Sequence, residues 1–351
     1  MKIKLAILES DPNYLKRIVP AFNNKYASEL EVYSFTDVGA AMTCLAEKGI
    51  NVFLANSTFR INFAEVPKKC GFAFLVDSLD IDRVDNHKAI CKFQKVELIY
   101  KQILSIYSEQ VPNVTGISNV ENGAMKTIAF TSPCGGVGTS TVAAACAIFL
   151  ANSGKRVLYL NADVFGSADA FFSCDGQFDF SDVIYAVKSN KTNRALKLQS
   201  TVKQDASGVF FYSPVKVSLD MMEMRRDDYV ILQNELKALG SYDYVILDLP
   251  FPKTIDELKL LEYCNSVVMV SDVSEMAEDK IARVLRSVQI LDNGAEVVLQ
   301  PRMSLILNKA ASNTLVQHDI RVLGSIPAYQ QVSPAQMAKQ LSLANVFSQL
   351  I

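Results

Sequence analysis

Short aliphatic runs without polar alternation punctuate the second part of the chain: Thr127 to Phe130, Val157 to Leu160, Val209 to Tyr212, Val245 to Leu247, Val267 to Val270 and Ser304 to Leu307. A strand with one wet face alternates apolar and polar positions, so unbroken runs of this length predict strands buried on both faces. Helical patterns separate most of them, including the alanine-rich stretch Thr141 to Ala151 and the segment Glu275 to Leu291. That order predicts an α/β fold, a mostly parallel sheet with helices on both faces and ligands at the carboxyl ends of the strands. A separate alternating unit precedes it over residues 1–108. Its strands are predicted at Ile3 to Leu8, Glu31 to Phe35, Val52 to Ala55 and Phe72 to Val76, and its helices at Asn13 to Lys25, Asp37 to Glu47 and Val96 to Ser108. Residues 109–124 hold Pro112, Gly116, Gly123 and several asparagines with no apolar period, the composition of a linker. Residues 125–351 then form the second domain, and a length of 351 residues suits two.

The junction between the first buried run of that domain and the alanine-rich helix carries the chemistry. There the chain reads Phe130-Thr131-Ser132-Pro133-Cys134-Gly135-Gly136-Val137-Gly138-Thr139-Ser140-Thr141. Small residues between a strand and a helix let backbone N–H groups converge on an anion, and the helix dipole adds roughly half a positive charge. Residues 134–141 are therefore the candidate phosphate cradle, with the Ser140 hydroxyl placed for Mg²⁺. Glycines also serve any tight turn, and the second observation is what separates the readings. Tyr242 to Pro250 is an apolar run ending in Asp248, the arrangement that sets a carboxylate beside a metal-bound phosphate.

From Met125 onward the chain resembles the ParA/MinD superfamily of P-loop ATPases, whose loop has the form K-G-G-x-G-K-[S/T]. Two departures are chemically large: Cys134 stands where the family lysine reaches across a dimer, and Thr139 where the lysine on the β- and γ-phosphates belongs. A thiol and a hydroxyl cannot supply an ammonium's charge. Backbone binding of ATP is expected to survive and fast hydrolysis is not, unless Lys126 or Lys309 substitutes. The resemblance further implies that Asp163, ending the strand with Asn161-Ala162-Asp163, positions water and metal. It likewise implies that Asn308, Pro327 and Ala328 lie at the adenine, although alone Asn308 would serve equally as a turn or cap residue and Pro327 as a loop rigidifier. Cofactors implied are ATP and Mg²⁺.

The first unit resembles a response-regulator receiver, a flavodoxin-like fold. Glu9-Ser10-Asp11-Pro12 stands at the acidic Mg²⁺ pair, Asn56 at the phosphorylated aspartate and Lys92 near the late lysine. An amide forms no acyl phosphate, so a pseudo-receiver used for protein contact is expected; a generic small α/β domain is the alternative. A pseudo-receiver joined to a degenerate ParA/MinD-type ATPase resembles the TadZ/CpaE family. That resemblance implies a homodimer through the ATPase domain, partners in the Tad (Flp) pilus secretion machinery and a cytoplasmic protein recruited to the inner membrane face at the cell pole. The competing expectation is a cycling ATPase of DNA partition or division-site placement.

Composition narrows these choices. With 35 Lys and Arg against 37 Asp and Glu, the net charge of −2 gives no general pull toward nucleic acid or lipid. Seven cysteines without a C-x-x-C pair and two histidines argue for reduced thiols and against a zinc or iron–sulfur site. Cys134 reads as a small replacement rather than a reactive thiol. No signal peptide or bilayer-length apolar run is expected, leaving at most peripheral membrane contact. The segment Pro334 to Ile351 has near-helical apolar spacing but lacks a basic face, so it is expected to pack on its own domain.

Overall fold

In the computed structural model the described residues are 2–111, 125–189, 192–312, 314, 316, 318–330 and 332–351; most of the predicted linker, 112–124, lies outside them. The chain divides into two compact units, residues 1–115 with 189–201 and residues 116–188 with 202–351.

The first unit alternates β1 (Ile3–Leu8), α1 (Pro12–Lys25), β2 (Leu30–Phe35), α2 (Val38–Lys48), β3 (Val52–Asn56), β4 (Gly71–Val76), β5 (Arg83–Val84), β6 (His87–Cys91) and α3 (Val96–Ser108). Its sheet order is β2-β1-β3-β4-β6-β5, parallel except for the antiparallel β5–β6 pair. Leaving out the short edge strand β5, this is the 2-1-3-4-5 order of doubly wound flavodoxin-like folds. Local chemistry sets the helix ends. Asp11 caps α1 by accepting from Asn13 N at 2.8 Å with Pro12 in the first turn, and Asp37 caps α2, which stops at Gly49 in the left-handed conformation. Leu5, Ile7, Leu54 and Leu75 pack under α1 and α3 on one face of the sheet, while Ala6, Leu8, Phe53 and Ala55 pack under α2 on the other. The strand pair β5–β6 had no counterpart in the sequence reading. Two residues of β5 are too few to display a period.

The second unit contains β7 (Lys126–Thr131), α4 (Thr139–Asn152), β8 (Val157–Asn161), α5 (Phe180–Lys188), α6 (Arg194–Thr201), β9 (Lys203–Gln204), β10 (Phe210–Phe211), α7 (Leu219–Met222), α8 (Arg226–Leu239), β11 (Tyr244–Asp248), α9 (Ile255–Leu258), β12 (Ser266–Ser271), α10 (Glu275–Asn293), β13 (Met303–Asn308), β14 (Arg321–Ile326) and α11 (Pro334–Leu341), with α6 the exception noted below. Its eight strands run β14-β13-β12-β7-β11-β8-β10-β9, all parallel except β9 against β10. From β7 the chain goes first to one side, toward β8, and later to the other, toward β12 and β13. The loop after β7 thus lies at the point where strand order reverses, where open α/β sheets bind ligands.

Helix α4 is buried nearly all round because its face is alanine: Ala143, Ala144, Ala145 and Ala147 are each inaccessible. Such small side chains allow close approach, and α11 packs on α4 with Ala338 and Leu341 in the same core. The C-terminal segment therefore packs on its own unit, but not as one helix. It breaks after Leu341, and Phe347 enters the core from a short 3₁₀ turn, Asn345–Leu350. Two further corrections concern strands. The residues directly before Pro327, Gly324 to Ile326, belong to a strand, β14, that was not among the predicted runs, and the run Val209 to Tyr212 shortens to a two-residue strand.

Helix α6 lies in the second half of the sequence but folds into the first unit. It packs along α3; Leu198 is buried, Lys197 Nζ donates to Ser105 Oγ at 2.8 Å, and Asn193 N donates to Ser108 O at 2.8 Å.

Candidate functional site

The loop after β7 is built from both ends. At its start Ser132 Oγ donates to Val270 O of β12 at 2.8 Å and accepts from Cys134 N at 3.1 Å, tying the chain to the neighbouring strand. Its middle, Gly135 and Gly136, is exposed, and a Cβ at either would meet nothing within 4 Å. The glycines there leave the concave side free for an approaching group. Gly138 is required by the protein itself: its φ is +90°, and a Cβ would lie 2.5 Å from Asn308 Nδ2. Thr139 then begins α4, with Ser140 and Thr141 in its partly exposed first turn.

Three strand ends converge on this turn. Asp248, the last residue of β11, is 3 % exposed and accepts from Tyr159 Oη at 2.6 Å and Asn161 Nδ2 at 2.8 Å, with the Ser140 side chain a further hydrogen-bond partner. Burial pushes the Asp248 carboxyl above the usual carboxylate range, hydrogen bonds from Tyr159, Ser140 and Asn161 pull it back, and the nearby Asp163 charge pushes it up again. A buried carboxylate so poised gains from a cation next to it. Asp163 is half-buried in the turn after β8, where its Oδ1 accepts from Phe165 N at 3.1 Å.

From the other side of β7, Asn308 ends β13 and is 5 % exposed; its Nδ2 donates to Val137 O at 2.7 Å. The next residue, Lys309, donates from Nζ to Gly136 O at 3.0 Å. Asn308 pairs in register with Ile326, so Pro327 and Ala328, both exposed, leave the sheet beside it. Cys134 is half-buried, and burial raises its thiol pKa, with opposing influences from Lys280 and from Asp272 and Glu278. A raised pKa makes the thiol less nucleophilic, in keeping with a small replacement. Lys126 stands at the opposite end of β7 from the loop, 5.7 Å from the centre of the Tyr244 ring. A separate cleft of about 520 Å³ lies at the amino ends of β12, β13 and β14, lined by Arg302, Arg321 and His318, away from these groups.

The first unit has its own cluster at the carboxyl ends of β1, β3, β4 and β6. Glu9, fully buried, accepts from Asn56 Nδ2 at 2.7 and 2.9 Å, and from Ser10 Oγ and Asp11 N. Lys92 Nζ lies 3.3 Å from Glu9 and 2.9 Å from Asp77. Burial alone would lower the Lys92 pKa, but Asp77 and Glu9 hold it above the ordinary lysine value. Asn56 Oδ1 in turn accepts from Thr58 N and Oγ1. Glu9, Asn56 and Lys92 are thus brought together as the sequence suggested, whereas Asp11 caps α1 instead. Asp77 was missed; its signal was an acid directly following the buried run Phe72 to Val76.

A parallel sheet with a glycine-rich turn and a strand-end carboxylate at its switch point defines a P-loop nucleotide-binding domain. The chain belongs to the family whose model is described as an AAA domain, matched over residues 125–300, and residues 1–108 match a model described as TadZ-like, receiver domain. It joins a TadZ-like receiver domain to an ATPase domain of ParA/MinD type. Septum site-determining protein MinD of Helicobacter pylori is 25% identical over 185 residues, 52% of this chain and 66% of that protein. MinD of Escherichia coli K12 is 24% identical over 221 residues, 58% and 79% respectively. This chain therefore spans somewhat less than two thirds of the first relative and more of the second. A ParA family ATPase from Chlorobium tepidum aligns in structure with a TM-score of 0.49 and 17% identity, covering 63% of this chain and 98% of that one. Among the described residues no helix is long and apolar enough to cross a membrane.

Proposed function

We propose that this protein is an ATP-binding localisation and assembly factor for a Tad (Flp) pilus secretion system, acting as a nucleotide-dependent dimeric scaffold at the cell pole. The observation that carries the nucleotide part is the pairing of Ser140 with the buried Asp248 under a loop that keeps its glycines and has lost its lysines. The residues fit a magnesium nucleotide: Ser140 and Asp248 would hold the metal with Asp163 nearby, backbone N–H groups of 134–141 would take the phosphates, and Asn308, Pro327 and Ala328 would border the base. Bound Mg²⁺ supplies charge neutralisation for the phosphates and for Asp248. Without an ammonium from position 134 or 139, stabilisation of a transferring phosphoryl group falls more than ground-state binding does. The pilus assignment is supported by the TadZ-like model over the first unit. Bound nucleotide would favour the dimer by its differential affinity for it.

The test is to mix purified protein with radiolabelled ATP and Mg²⁺, follow retained nucleotide and released phosphate over hours, and measure mass in solution with and without nucleotide. Retention with little release and a doubling of mass is expected. Brisk release stimulated by DNA or lipid would replace the scaffold with a cycling ATPase of DNA partition or division-site placement. Absence of retention would remove the nucleotide altogether.

A further inference from the structure

Loss of both loop lysines leaves the phosphate cradle without a side-chain cation of its own, yet one is delivered from another strand. Lys309 is the first residue beyond β13, and its Nζ sits 3.0 Å from Gly136 O, on the exposed glycine turn. An ammonium has three donors, so one spent on a carbonyl leaves two for other acceptors. Its backbone is unusual: φ is +57°, a left-handed conformation that costs a non-glycine residue on the order of 1 kcal/mol or more. The following residue secures that turn, Ala310 N donating to Ile326 O at 3.0 Å. Strain of this kind persists where the surroundings over-determine it, and here it turns the Lys309 side chain onto the loop while Asn308 grips Val137. A carboxylate is also within electrostatic range: against the opposing effect of burial, the Ser274 hydroxyl, then the Ser274 N–H and then Lys309 hold Asp272 acidic. The ammonium in this structure therefore rests against a neutral carbonyl and within the field of one acid, a weaker environment than a polyphosphate.

We propose that Lys309 is the phosphate-binding cation of this site, leaving Gly136 O for the terminal phosphates of a nucleoside triphosphate and replacing in charge what Cys134 and Thr139 lack. The inference rests on the nucleotide reading above. Lys126 is excluded by its place at the far end of β7. Lys280 of α10 is another lysine whose charge is felt in the loop, at Cys134, and serves as the control. Because the cation comes from the strand that also carries Asn308, nucleotide affinity here depends on β13 and the loop together rather than on the loop alone.

The experiment is calorimetric titration of the full chain with Mg-ATP and Mg-ADP. Lys309→Gln keeps a donor for Gly136 O but removes the charge; it is expected to weaken ATP by about tenfold or more and ADP by less, with an unchanged unfolding midpoint, and Lys309→Arg is expected to restore most of the loss. Lys280→Gln is expected to bind as wild type. Wild-type binding with Lys309→Gln within twofold of it overturns this inference alone. A loss confined to Lys280→Gln overturns it in favour of that lysine. Failure of the wild type to bind either nucleotide overturns both this inference and the nucleotide reading, and so separates the two.

Discussion

The cluster at the strand ends of the first unit and the site after β7 differ in how their charged groups are partnered. In the first unit the remaining groups close on one another: Asn56 occupies both oxygens of Glu9, Lys92 bridges Glu9 to Asp77, and Glu9 has no exposed surface. The one fully buried charge there, Glu9, has its partners inside the protein. Around the P-loop the opposite holds. Gly135 and Gly136 are exposed, Asp248 is held with its carboxyl raised, and Lys309 rests on a carbonyl. The two clusters therefore differ in electrostatics: the buried Glu9 carboxylate is held by an ammonium and an amide of the protein, whereas Asp248 has no ammonium among its hydrogen-bond partners and would gain from a cation placed beside it.

The strongest way to break that contrast is Lys92→Met. It strands the buried Glu9 carboxylate, and urea unfolding of the full chain should place the first unit about 3–5 kcal/mol lower, with ATP retention by the second unit unchanged. The same pair fixes a pH dependence. The Lys92 pKa is raised in the folded state, so its contribution is complete below the ordinary lysine value and is lost as pH rises through the folded one. The first unit should therefore weaken on the alkaline side.

Asp248→Asn should do the reverse in the second unit. The folded carboxyl titrates above its unfolded value, so stability is gained as pH falls through the folded pKa and is complete below the unfolded one, and the ionised form costs stability at neutral pH. Removing the charge is expected to raise the melting midpoint by about 2–4 °C, the effect of ~1 kcal/mol in a domain of this size, while abolishing any Mg²⁺ dependence of nucleotide binding. A lowered midpoint with intact Mg²⁺ dependence would mean that Asp248 is structural. The smallest effect belongs to Asp11→Asn. Asparagine caps a helix as well as aspartate does, so thermal unfolding should move by less than ~0.5 kcal/mol; a receiver that still bound Mg²⁺ through Asp11 would instead lose its response to that ion.

Strands buried on both faces were legible because apolar runs of three or four residues without polar alternation have no other economical home, and the loop was legible because glycines, hydroxyls and a strand-end acid occur in a fixed order. The resemblance to a receiver, rather than any spacing, put Glu9, Asn56 and Lys92 in one cluster. What escaped depended on contacts between distant segments. Lys309 could be named as a substitute cation but not chosen over Lys126, because the choice rests on which end of which strand each occupies. The break after Leu341 follows from Phe347 turning into the core beside Phe149, their ring centres 5.8 Å apart, and apolar spacing alone continues the helix through it. Helix α6 gave no warning at all, since the residues that bury Leu198 and meet Lys197 lie some ninety positions earlier.

That helix changes what a unit of inheritance is in this chain. A cut in the linker, the natural place to exchange one receiver for another, would leave α3 without the segment that covers it and would hand the recipient a helix whose companion has stayed behind. Residues 189–201 and the first unit must therefore vary together, so recombination at 109–124 is a poor route to new pairings and drift in α3 is answerable to substitutions nearly a hundred residues away.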